Sequence, residues 1–121
     1  LNNYPVDKPR SNIDIHLPDG TADDEYLSRL NAGLSSALAE FHPDLIVYVA
    51  GADPYEQDQL GGLALTMTGL QRRDRLVLRE ALRRSIPVAI VLAGGYAFDV
   101  RDTVSIHVNT AKAARDLLLP L

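Results

Sequence analysis

Two stretches decide the fold: Asp44-Leu-Ile-Val-Tyr-Val-Ala-Gly-Ala-Asp53-Pro-Tyr-Glu56 and Pro87-Val-Ala-Ile-Val-Leu-Ala-Gly-Gly-Tyr96. Each is a short apolar, β-branched run that stops at small residues and then presents one polar side chain. Buried parallel strands read this way, and they deliver functional groups to the carboxyl edge of an α/β sheet. One strand ends near Asp53 and the other near Tyr96, which together make half of a possible active site.

The rest of the chain fits around these strands. Ser11 to Leu17 alternates around Ile13, Ile15 and Leu17, the period-two pattern of a short strand. Pro18-Asp19-Gly20-Thr21 is a turn. Thr21 or Asp23 can cap a helix whose apolar face is Leu27, Leu30, Leu34, Ala37, Leu38 and Phe41, and His42-Pro43 ends it. Leu45 to Ala50 is the second strand, and Gly51 to Gly62 is a polar, glycine-bearing loop. Thr68 with Gln71 resembles a capping box. It opens a helix with Leu70, Leu76, Val77, Ala81 and Leu82 on the apolar side and Arg72, Arg73, Arg75, Arg79, Arg83 and Arg84 mostly on the wet side. Val88 to Leu92 is the third strand. Thr103 to Leu119 has some β propensity, but the Ala111-Lys-Ala-Ala-Arg-Asp-Leu continuation favours helix, with Val104, Val108, Ala111 and Leu118 on its apolar face. The expected order is β-α-β-α-β-α, a parallel sheet with right-handed crossovers, flanked by helices.

Composition narrows the function. The chain has 121 residues, 46% of them hydrophobic, about one domain's worth. A net charge of −4 argues against a nucleic-acid or membrane-surface role. There is no cysteine, hence no disulfide framework and no thiolate metal site, and this fits a reducing cytoplasm. No apolar run reaches the roughly 18–20 residues that cross a bilayer. Residues 1–10 read as a surface loop or linker, and a start at Leu1 rather than Met leads us to expect a chain cut from a longer protein.

Several residues invite chemistry. Asp53, just past a buried strand and followed by proline, sits on rigid backbone and can offer oxygen to a metal ion; a turn aspartate capping its own loop is the plain alternative. Gly94-Gly95 allows close backbone approach, so Tyr96 can turn its hydroxyl into a cleft and donate to a developing oxyanion. It can equally be an edge tyrosine after a flexible turn. The glycine pair lacks the Gly-x-Gly-x-x-Gly or Lys-Ser/Thr context of a phosphate loop. Asp14 and His16 would share one face of a strand, but they alternate with apolar residues as a wet surface does. His42 is a helix-end residue and His107 a lone helical histidine, while the arginine-rich helix is a solvated face or an interface.

The quoted motifs carry a resemblance. Asp53-Pro-Tyr-Glu-Gln-Asp58-Gln-Leu60-Gly61 after the first buried run, then Leu63-Ala-Leu-Thr-Met-Thr68, then Val91-Leu-Ala-Gly-Gly-Tyr96, resemble the carboxyl-terminal part of the histone deacetylase superfamily. That superfamily includes bacterial acetylpolyamine amidohydrolases and acetoin-utilisation proteins. Ser11 to Tyr26 is similar to the segment just upstream in the branch nearest the class IV deacetylases. The resemblance implies an arginase-like α/β fold and zinc-dependent hydrolysis of an acetyl-amide, on an acetylated small molecule or acetyl-lysine. It assigns Asp53 as a zinc ligand and Tyr96 as the residue that polarises the acetyl carbonyl. It places Gly94, Gly95 and Leu60 along the substrate tunnel. Gln57 departs from the glycine many relatives carry there. The family's tandem histidine base is absent, and Asp14-Ile15-His16 lies too late in the chain to be its Asp-x-His ligand pair. The segment alone is therefore expected to hold little or no zinc, to be inactive, and to self-associate through an unpaired sheet edge. The rival expectations are a non-catalytic α/β interaction or scaffold module, and a Rossmann-like nucleotide binder.

Overall fold

The computed structural model describes residues 7–119. Their order is α1 (Asp23–Phe41), β1 (Ile46–Gly51), α2 (Met67–Arg83), β2 (Val88–Ala93) and α3 (Val100–Leu118). β1 and β2 pair in parallel, in register from Ile46 opposite Val88 to Gly51 opposite Ala93. Ala52 N extends the ladder by one bond to Ala93 O at 3.1 Å. The chain is thus α/β, with a parallel two-stranded sheet joined through α2 and helices packed beside it.

The strand expected over Ser11–Leu17 does not form. The segment has no regular secondary structure and lies against α1: Ile15 fills the space beside Gly33, where a β-carbon would meet Ile15 Cδ1 at 2.5 Å. Apolar alternation alone does not make a strand; a neighbouring strand must complete the ladder, and among the described residues none pairs with this segment. Residues 7–10 of the expected leading loop hold no helix or strand, and residues 1–6 lie outside the described residues.

The helix starts also shift. Thr21 hydrogen-bonds Pro18 O instead of capping α1. Asp23 does not cap α1 either, where the residue at the cap is Ala22. Its carboxylate accepts from Thr66 N at 2.9 Å and Thr66 Oγ1 at 2.6 Å. Thr66, and not Thr68, caps α2 by accepting from Gly69 N at 2.9 Å. The amino-terminal ends of α1 and α2 are therefore fastened to each other. α1 still carries Asp23, Asp24 and Glu25 in its first turn, where the helix dipole favours them.

The tail is helical, but its buried stripe is Ile106, Thr110 and Ala113, while Val104 and Val108 face outward. A core of Ala52, Tyr55, Leu65, Leu70, Ala97 and Ile106 sits beneath the loops at the carboxyl end of the sheet. On the opposite sheet face, Val47 and Val49 are 59% and 61% exposed. No helix among the described residues is long and apolar enough to cross a membrane.

Candidate active site

Both strands end on small residues, and both sequence-predicted groups follow at the same sheet edge. Asp53 lies two residues past β1 and Tyr96 three past β2. The Asp53 side chain turns back over the strand ends. A β-carbon on Gly51 would meet Asp53 Oδ1 at 2.5 Å, and one on Gly94 would meet it at 3.0 Å. Gly94 has φ +53° and Gly95 φ +121°, where side chains are rarely tolerated. Gly95 also lies against Ala52 and Thr103. The two glycines therefore let the second loop close onto the first.

The loops are bonded to each other as well. Tyr96 N donates to Asp58 Oδ2 at 2.6 Å, Gln59 N donates to Tyr96 O at 3.0 Å, and Phe98 N donates to Gln57 O at 3.2 Å. Leu60, 62% exposed, and Tyr96, 63% exposed, stand on these two linked loops. A cleft lined by Pro18, Asp19, Asp23, Glu56 and Thr66 opens elsewhere and includes neither.

Behind the edge lies a polar network that the sequence reading missed. Arg73 and Asp74 are both buried on α2. Arg73 Nη1 donates to Gly51 O at 2.6 Å, and its Nε and Nη2 donate to Asp74 Oδ1 at 3.0 and 2.9 Å. Tyr48 Oη also donates to Asp74 Oδ1, and Thr110 Oγ1 donates to Asp74 Oδ2, each at 2.5 Å. The guanidinium lies 5.8 Å from the centre of the Tyr48 ring. Burial works against the Arg73 charge, but the neighbouring Tyr48 and Asp74 outweigh it and hold the group above its ordinary pKa. Burial likewise pushes the Tyr48 and Tyr26 phenols up. Arg73 is thus no part of a solvated face; it clamps the last carbonyl of β1, two residues before Asp53.

Asp53 is suited to be one oxygen ligand of a metal, since glycines flank its carboxylate. A catalytic zinc normally takes three protein ligands. The described residues hold no group of three or more His, Cys, Asp or Glu side chains that could hold a metal ion, so Asp14, His16 and Asp53 do not assemble into one. Asp14 instead accepts from Ser11 Oγ at 2.5 Å.

Comparison with known proteins agrees with this architecture. The family profile described as Histone deacetylase domain matches residues 5–111. An uncharacterized protein of Picosynechococcus sp. is 47% identical over 115 residues, covering 95% of this chain and 38% of that protein. Histone deacetylase 2 of Arabidopsis thaliana is 38% identical over 96 residues, covering 77% of this chain and 25% of its own length. Among solved structures, an acetylpolyamine aminohydrolase from Burkholderia pseudomallei superposes with a TM-score of 0.73 at 27% identity, over 87% of this chain and 29% of that one. The chain spans well under half the length of these relatives. With the profile covering most of its residues, the chain belongs to the histone deacetylase family.

Proposed function

We propose that this chain supplies one side of a zinc-dependent deacetylase site. Asp53 is one zinc ligand and Tyr96 the hydroxyl donor to the acetyl carbonyl. Leu60, Gly94 and Gly95 line the path of the acyl group. The other ligands and the general base come from polypeptide outside this sequence, so the chain alone is inactive and holds zinc weakly, since one carboxylate replaces little of a dication's water shell. The substrate is an acetylated small molecule or acetyl-lysine, and the setting is the cytoplasm.

The observation that carries this reading is the delivery of Asp53 and Tyr96 to one edge by two adjacent parallel strands in register. Zinc, when bound, polarises a carbonyl and lowers the pKa of a water. Asp53 contributes negative charge and an oxygen donor from a backbone fixed by the β1 ladder and the Arg73 clamp. Tyr96 donates to the carbonyl oxygen and strengthens that bond as charge develops there. Gly94 and Gly95 keep side chains out of the space the acyl group needs.

The exposed Val47 and Val49 face favours a second reading, a non-catalytic interaction module. Hydrolysis assays separate the two. The complete polypeptide carrying this sequence should release acetate from acetyl-lysine peptides or acetylpolyamines, lose activity with chelator and regain it with zinc. Absence of hydrolysis of both substrate classes would favour the module, and hydrolysis insensitive to chelator would remove zinc from the proposed reaction.

A further inference from the structure

Asp58 has no part in the reading above, yet it joins the two site loops. It is only 8% exposed. Its carboxylate accepts three backbone hydrogen bonds. Oδ1 takes Leu60 N at 2.9 Å and Gly61 N at 2.8 Å, which folds its own loop. Oδ2 takes Tyr96 N at 2.6 Å, which crosses to the loop after β2. The Tyr96 carbonyl is held in turn by Gln59 N at 3.0 Å and Gln59 Nε2 at 3.1 Å. The Tyr96 backbone is thus held at both its N–H and its C=O.

This grip matters because the Tyr96 side chain is mostly exposed, and packing cannot fix where its hydroxyl points. We infer that Asp58 is a positioning residue: it sets Tyr96 through the backbone N–H and, with its other oxygen, sets Leu60, so that donor and tunnel wall move as one piece. The inference rests on the proposal that Tyr96 is the hydroxyl donor. The chemistry calls for a carboxylate. An ionised one presents acceptors on both oxygens, whereas a carboxamide presents an acceptor on one side and a donor on the other. Asp58→Asn therefore keeps the shape but must turn an N–H toward Tyr96 N or toward the Leu60 and Gly61 amides.

The test uses the complete polypeptide carrying this sequence. Asp58→Asn should speed exchange of the Tyr96 amide hydrogen at least about tenfold and leave the β1 and β2 amides unchanged. It should lower kcat on the order of 10–100-fold, with KM within about twofold and zinc content unaltered. In a Tyr96→Phe background, which keeps the backbone N–H but has no hydroxyl to position, the same change should cost less than about threefold. An equal loss in both backgrounds, or a Tyr96 amide that stays protected, overturns the inference. If Asp58→Asn does not fold, an amide-to-ester replacement at position 96 removes the same bond and leaves Asp58 intact. It should give the same fall in kcat, and full activity there overturns the inference. Should Tyr96→Phe itself retain wild-type activity, the proposed role of Tyr96 fails, while hydrogen exchange still decides whether Asp58 holds its backbone.

Discussion

Asp53 Oδ1 lies 3.0 Å from the place a β-carbon would occupy on Gly94, so the proposed ligand and the glycine two residues before the proposed donor are packed against each other. Gly94→Ala would meet both this contact and a φ of +53°. The left-handed backbone alone should cost about 1–2 kcal/mol. Displacing Asp53 should weaken zinc affinity of the complete protein by roughly 10–100-fold, as loss of a ligand's supporting contacts does. Chemical denaturation and a zinc-chelator competition would measure the two effects separately; unchanged zinc affinity would mean the carboxylate does not ligate.

The Arg73–Asp74 pair is the most consequential buried feature. Asp74→Ala leaves the Arg73 guanidinium uncompensated and strips Tyr48 and Thr110 of their acceptor. We expect a loss of about 3–5 kcal/mol in urea unfolding. Thr110→Val removes a single bond and should cost about 1 kcal/mol.

Alkaline pH should destabilise the fold. Burial raises the Tyr48 pKa above the ordinary value of 10.0, and Tyr26 shifts the same way. Below pH 10 the phenol is protonated in both the folded and unfolded states, and its contribution is fully present. Above pH 10 the unfolded chain gives up the proton first, the folded state binds more protons, and stability falls as pH rises. Tyr48→Phe should make that fall shallower between pH 10 and 11 in urea titrations. An unaltered slope would remove Tyr48 as its cause.

The chain by itself should self-associate at micromolar concentration. Among the described residues, Val47 and Val49 project from a sheet of two strands, each with one edge that no other described strand covers. Sedimentation should show a mass above that of the monomer, reduced by Val49→Lys. A clean monomer would count against the exposed edge as an association surface.

The two strands were legible because they are fully apolar runs with abrupt small-residue ends, and their pairing followed from the helix between them. Ser11–Leu17 was misread because apolar alternation alone does not make a strand, and no described strand pairs with it. The buried stripe of α3 was missed because Thr110 looks polar, yet its hydroxyl is satisfied by Asp74 and it packs inside. Arg73 and Asp74 were hidden for the same reason: charge reads as surface until a partner in the fold neutralises it. Asp58 could not be read locally, since the bond that gives it meaning reaches Tyr96, 38 residues away.

Zinc stoichiometry and turnover, measured side by side on two variants of the complete polypeptide, test the central claim most directly. Tyr96→Phe should keep full zinc and lose on the order of 10²–10³-fold in kcat, as loss of one oxyanion donor does. Asp53→Asn should lose the metal and the activity together. Wild-type zinc content and turnover in both variants would contradict the assignment of this sheet edge as a deacetylase site.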